Sequence, residues 1–398
     1  MQIYKLADRF NIRGGKMIII KNGNVFCPDG VFRKKDVLIG EKSIIAVEDV
    51  IAGNSADTLD ACGLYVMPGL IDIHTHGAYG HDMMGSGYDK LSSMSMFYAS
   101  KGVTSFLGTT MTSPVVKVTE AIENMRLAIK EGLPGARMIG IHLEGPFINR
   151  KFKGAHPEEY IIHPSIELLE RFIEKSEGNI RMVTLAPEME GTGAIIEYFK
   201  KRNLVFSAGH SGLNYSEALK AFNSGVTHIT HLFNGMSGLH HREPGLVGAA
   251  LDNDDISVEL IADGIHVHPS VIRMAVRIKT SRSAVLITDS NMAAGLADGE
   301  YVLGDQKIIL RNREARLENG ALAGSVLTMI DALKNMFFNF GIPLEDAVKM
   351  ATATPARIIR IDDKKGTVLP GKDADIVLAD ENLNVKMTMV EGKVVYTS

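Results

Sequence analysis

Only two of the 398 residues are cysteine, Cys27 and Cys62, and they form no CxxC pair. That scarcity excludes a disulfide framework and argues against a cysteine-based metal site. Long uncharged apolar stretches are absent, at the N-terminus and beyond it. The sequence therefore predicts neither a signal peptide nor a transmembrane helix, and no membrane partner. Excess charge is absent too: the net charge is -4, with both signs mixed along the chain. No basic stripe offers a track for nucleic acid. Nor does any strand-like run lead into a GxGxxG turn, which counts against an open doubly wound sheet. What remains is a globular chain, expected to be cytoplasmic. It has room for two or three domains, or for one barrel of about 250 residues with an addition.

Residues 1–16 are weakly patterned and read as an N-terminal extension, with Met17 a candidate start. From 17 to 65, short strand-like runs alternate with turn signals at Asn22-Gly23, Asp29-Gly30 and Gly40. Residues 366–398 have the same texture, with turns at Pro370-Gly371 and Glu391-Gly392. The two ends are expected to pair into one small β-sandwich domain, 17–65 plus 366–398, into which the middle is inserted. Residues 66–365 alternate strand-like and helix-like segments, the pattern of βα units around a parallel sheet. Strands are predicted over 66–76, 104–110, 137–144, 181–186, 204–210, 226–231, 256–262 and 284–289. Helices are predicted over stretches such as 117–130, 165–175 and 216–224. Eight βα units suggest an α/β fold built on a (β/α)8 TIM-type barrel.

In such a barrel the catalytic groups sit where strands end. Here the first predicted strand ends in His74 and His76, the third in Glu144, the fifth in His210, the sixth in His231 and the eighth in Asp289. An isolated His-x-His is as readily a pair of loop histidines, and a lone Asp as readily a helix cap. Six metal-type residues at five strand ends are much harder to explain that way. In a strand, His74 and His76 share a face. Neutral imidazole and carboxylate suit zinc or iron(II), and a shared carboxylate can bridge two ions. The reading is His74, His76 and Asp289 on one divalent ion, His210 and His231 on another, and Glu144 between them. Asp289, brought beside the first strand by the eighth, is the natural proton carrier. His142 shares a face with Glu144 and reads as supporting or core. His228 reads as structural, and His81, His163 and His268 have no supporting pattern.

The motifs PGLIDIHTHG, HLEGPF, KGAHP, LAPE, SAGHS, THLFN, REPG, ADGIHV, ITDS and AGS occur in that order. Over residues 17–398 the series resembles the N-acetylglucosamine-6-phosphate deacetylases of the amidohydrolase superfamily. The resemblance implies hydrolysis of an acetamide on a phosphorylated amino sugar. It places Glu144, His210 and His231 in a constant metal site, and His74 and His76 in the branch that holds two metals. Asp289 matches the catalytic aspartate. His156 matches a residue near the acetyl carbonyl, and Asn234 and Gly235 a segment that meets the sugar phosphate. His266 matches a substrate-binding histidine. Arg242 matches an arginine that reaches the phosphate from a neighbouring subunit, which implies a homodimer. Many relatives have Ala where Gly235 and Ser290 stand.

Three other readings compete. Hydantoinases and dihydroorotases bridge their metals with a modified lysine from strand four, but RMVTLAPE ends without one. A deacetylase for N-acetylgalactosamine 6-phosphate differs by the orientation of one hydroxyl. A scaffold that lost its metal would be expected to lack some of the six residues, and this chain keeps all of them.

Overall fold

The computed structural model describes residues 17–52, 56–303 and 306–398. The expected extension, 1–16, lies outside them. Five strands come first: β1 (Ile18–Phe26), β2 (Phe32–Gly40), β3 (Ser43–Glu48), β4 (Asp57–Asp60) and β5 (Tyr65–Pro68). β6 (Leu70–Thr75) follows, then a short hairpin of β7 (Gly77–Ala78) and β8 (His81–Asp82). Next are β9 (Val103–Thr109), β10 (Arg137–Glu144), β11 (Ile180–Leu185), β12 (Val205–Ala208), β13 (Val226–Ile229), β14 (Ser257–Ile261) and β15 (Ala284–Ile287). An antiparallel insert of β16 (Gly299–Leu303), β17 (Gln306–Arg311) and β18 (Glu314–Leu317) precedes the last helices. β19 (Ile376–Ala379), β20 (Val385–Val390) and β21 (Lys393–Thr397) come last.

β6 and β9 to β15 lie side by side in chain order, all parallel, as a (β/α)8 barrel. The seam closes just past the strand ends. Asp289 N–H donates to His74 O at 2.9 Å, and His76 N–H donates to Ser290 O at 2.9 Å. β9 and β14 are buried at every position, because side chains fill the barrel inside and helices cover it outside. Helices 115–131, 166–175 and 215–224 occupy the predicted stretches. Their starts follow from local chemistry: Ser165 Oγ accepts from Leu168 N–H, and Asn214 with Glu217 forms a reciprocal capping box.

The two ends of the chain share one mixed sheet, in the order β21-β20-β19-β5-β1-β2-β3, with β4 also beside β1. Strand alternation sends successive side chains to different cores. Ile376 and Leu378 join Ile18, Ile20 and Val66 in a core of the sheet's own, whereas Val377, Ala379 and Met67 pack against the barrel. The far edge curls back: Ile44 N–H donates to Lys372 O and Ala374 N–H to Lys42 O, each at 2.8 Å.

The run 66–76, expected as one strand, is two. β5 pairs with β19 in the mixed sheet, while β6 pairs with β9 in the barrel. The chain crosses between them at Gly69, where a Cβ would lie 2.1 Å from Thr104 Oγ1. Only glycine permits that approach. The insert β16–β18 was not anticipated. It has its own small core around Ile308, Leu310 and Ala315, and Gln306 Nε2 donates to Ala155 O at 2.6 Å. No helix among the described residues is long and apolar enough to cross a membrane.

Candidate metal centre

The six residues expected at strand ends meet at one end of the barrel. His74 is the penultimate residue of β6 and Glu144 the last of β10. His76 follows β6 directly. His210, His231 and Asp289 each stand two residues beyond β12, β13 and β15. These last three have positive φ, at 49°, 32° and 47°. Left-handed backbone is unfavourable for side-chain-bearing residues. Here it turns the chain out of the strand and swings each side chain over the barrel mouth.

Glu144 is the hub. Its Oε1 lies 3.3 Å from His210 Nε2, 3.2 Å from His231 Nε2 and 3.5 Å from His74 Nε2. Its Oε2 lies 3.1 Å from His76 Nε2. Asp289 Oδ1 is 3.3 Å from His76 Nε2 and 3.6 Å from His74 Nε2. Hydrogen bonds at the far side of three rings set where their protons sit. Nδ1 of His210 faces Phe152 O at 2.9 Å, Nδ1 of His231 faces Asn234 O at 3.1 Å, and Nδ1 of His74 faces Glu259 Oε2 at 2.9 Å. Each Nδ1 must donate there, so in the neutral ring each Nε2 carries a lone pair toward Glu144. Two such nitrogens, on His210 and His231, are 3.1 Å apart. Lone pairs and carboxylate oxygens crowded together repel unless a cation lies among them. The donor set therefore fits a divalent ion held by nitrogen and oxygen.

His156 differs. Its Nδ1 accepts from Thr112 N–H at 3.2 Å, so its proton is on Nε2, which faces Glu144 Oε2 at 3.4 Å. It is placed as a hydrogen-bond donor at the edge of the cluster. Burial, reinforced by the neighbouring His210 ring, pushes its pKa down to about 4, so the ring is neutral at pH 7. Asp289 is ionised: burial opposes this, but His74 and His76 pull its pKa to about 2. Burial likewise opposes charge on His76, yet Asp289 and Glu144 raise it to about 9. The pocket favours positive charge.

A cavity of about 270 Å³ opens beside the cluster. Its wall includes His76, Glu144, His156, His210, His231 and Asp289, and also the expected Asn234, Gly235 and His266. His266 is held by its Nδ1 against Asp263 Oδ2 at 2.6 Å. Gly235 has a φ of 57°. Arg242 alone of the expected residues stands apart. It is exposed, off the cavity wall, with Nη1 2.8 Å from His241 Nε2. Ser290 does not shape the cavity either. Its hydroxyl joins Thr75 Oγ1 and Gly77 O, each at 2.9 Å, across the barrel seam.

A profile of the Amidohydrolase family matches residues 65–395. The chain is 38% identical to the N-acetylglucosamine-6-phosphate deacetylase of Vibrio furnissii, over 89% of this chain and 88% of that one. The chain belongs to the amidohydrolase family. It is also 38% identical to an N-acetylgalactosamine-6-phosphate deacetylase of Escherichia coli O157:H7, over 82% of this chain and 86% of that one. The crystal structure of N-acetylglucosamine-6-phosphate deacetylase from Pasteurella multocida superposes with a TM-score of 0.91, at 30% identity, covering 96% of this chain and 100% of that one.

Amidohydrolases are metal-dependent, and this one has the nitrogen and oxygen donors for it. Sequence reasoning missed two buried carboxylates beneath the site. Glu259 faces His74 and His228, and Asp72 receives Thr288 Oγ1–H at 2.6 Å. The signal was there: Glu259 interrupts the apolar run of β14, where an acid needs a partner. His228 and His142, read as structural and supporting, are both fully buried. His142 meets Thr184 Oγ1 at 2.7 Å and Ile73 O at 3.2 Å, which leaves neither nitrogen for an ion.

Proposed function

We propose that this amidohydrolase removes the acetyl group of N-acetylglucosamine 6-phosphate, giving glucosamine 6-phosphate and acetate in amino-sugar catabolism or recycling. The observation that carries the reading is the mouth of the barrel. Lone-pair nitrogens converge on Glu144, and a neutral N–H donor and an ionised carboxylate share one cavity with them. The relatives' names supply the substrate. Zinc or iron(II) is proposed, with one or two ions per chain and two favoured. His74, His76 and Asp289 would hold one, His210 and His231 the other, and Glu144 would serve both. A divalent ion supplies Lewis acidity, which lowers the pKa of water towards about 7 and polarises a carbonyl.

The chain's own groups do the rest. Asp289 takes a proton from the water that attacks the acyl carbon. His156 Nε2–H donates to the acyl oxygen as negative charge develops there, the work of an oxyanion hole. Asp289 then returns its proton to the sugar nitrogen as the carbon–nitrogen bond breaks. Asn234, Gly235 and His266 are assigned to holding the sugar and its phosphate.

Arg242 is exposed and does not line its own cavity. Its exposure supports a homodimer in which it reaches the partner's phosphate, where a guanidinium fork matches the anion. Residues 17–65 with 366–398 are proposed as a supporting domain, and a cytoplasmic location follows from a phosphorylated substrate that does not cross bilayers unaided. The second reading, N-acetylgalactosamine 6-phosphate as preferred substrate, is favoured by the Escherichia coli relative. Acetate release from both sugars, with metal content measured on the same sample, tests the function. No acetate from either sugar by metal-loaded protein would overturn it.

A further inference from the structure

Glu259 is buried to 0% exposure in the middle of β14. Its Oε2 faces His74 Nδ1 at 2.9 Å and accepts the His231 backbone N–H at 2.9 Å. Its Oε1 lies 3.3 Å from His228 Nε2, and His228 Nδ1 is in turn 2.6 Å from Ser257 Oγ. Each carboxylate oxygen is thus engaged, and Glu259 itself does not line the cavity.

The four histidines differ in what holds their second nitrogen. His210 and His231 rest on backbone carbonyls, Phe152 O and Asn234 O. His76 Nδ1 is buried with no hydrogen-bond partner among the described residues. His74 alone rests on a carboxylate. The rings of His210 and His231 are therefore oriented by main-chain carbonyls, and Glu259 meets that half only at the His231 backbone N–H, not at a ring. The His74–His76–Asp289 half has one unanchored ring and one ring whose anchor is a single side chain.

We propose that Glu259 is the positioning residue of that second half: it fixes His74 in the tautomer and orientation that present Nε2 to a cation, and so decides whether the second ion binds. This rests on the two-site reading above. Partners of this kind raise ligand basicity, and their loss weakens metal binding on the order of 10–100-fold. A glutamine in its place has one acceptor oxygen and an amide that can only donate. It removes the charge, and it favours the wrong His74 tautomer whenever the amide faces the ring.

The test is stepwise titration of the metal-free full chain with Co²⁺, read by calorimetry and by the visible absorbance of the bound ion. The wild type is expected to take two ions. Glu259→Gln is expected to take the first with nearly unchanged affinity and the second on the order of 10–100-fold more weakly. In a His74→Ala background, Glu259→Gln is expected to change nothing further at the remaining site. If Glu259→Gln loses its cooperative melt, Glu259→Asp is read in the same way. It keeps the charge but shortens the arm, and the same one-site loss is expected. Two ions bound with wild-type affinities, or equal weakening of both, would overturn the proposal while leaving the two-site reading intact. A wild type that takes only one ion would overturn the two-site reading itself, and is distinguished by needing no variant.

Discussion

The barrel mouth and the mixed sheet at the chain ends use the same unfavourable backbone for opposite purposes. In the sheet, non-glycine residues at positive φ are Asn22, Glu41, Leu383 and Glu391, all at turns or bulges between strands. In the barrel they include His210, His231 and Asp289, the groups that face Glu144 and its cavity. Such a residue costs of order 1–3 kcal/mol, and it persists where the surroundings over-determine it. In the sheet these residues sit where the chain turns between strands or, at Asn22, bulges within β1. At the barrel mouth the same backbone aims side chains at Glu144 and the cavity, held by a seam, a hub carboxylate and backbone carbonyls. One region spends its packing on stability alone. The other spends part of it on geometry.

If that division is right, changes in the two regions separate cleanly. The largest effect is expected from Asp289→Asn. An amide cannot shuttle a proton, so turnover falls on the order of 100-fold or more while the fold survives. Steady-state kinetics alongside circular dichroism check this, and near-native turnover would move the proton transfer to another group. Next is Ile20→Ala in the sheet's own core, where Ile20 is fully buried. Deleting those methylenes costs about 2–5 kcal/mol of stability. Turnover and metal content of the remaining folded protein should stay at wild-type values; a drop in either breaks the comparison.

Arg242→Ala is expected to raise KM for the phosphorylated sugar and to affect N-acetylglucosamine without phosphate much less. Losing a hydrogen bond to a charged group is worth about 1.5–3 kcal/mol. Mixing this chain with Asp289→Asn should restore one native-like site per mixed dimer. No recovery in mixed dimers shown to form would return Arg242 to its own surface. The smallest effect is expected from Ser290→Ala. It removes a hydroxyl that ties β6 to residues beyond β15, costing about 1 kcal/mol with KM unchanged. A changed KM would mean that the seam, too, shapes the cavity.

Much was legible beforehand because it is local. Period-2 apolar runs, turn signals and caps predicted the eight barrel strands and the helices between them. Strand ends then gathered His74, His76, Glu144, His210, His231 and Asp289 with no contact known. The residue types alone implied an oxygen–nitrogen metal centre. What the sequence left undetermined depends on partners distant along the chain. Pro68-Gly69 marks a turn within the first apolar run, but not that its two halves join different sheets, nor that the approach of Thr104 requires a glycine there. The tautomers follow from what stands behind each ring. Phe152 and Asn234 leave Nε2 of His210 and His231 bare, while Thr112 puts the proton of His156 on the side facing the cavity. A histidine in a sequence is equally a donor, an acceptor or a ligand. Tertiary structure decides among these, since a proton's position on the ring is set by the neighbour at the other nitrogen.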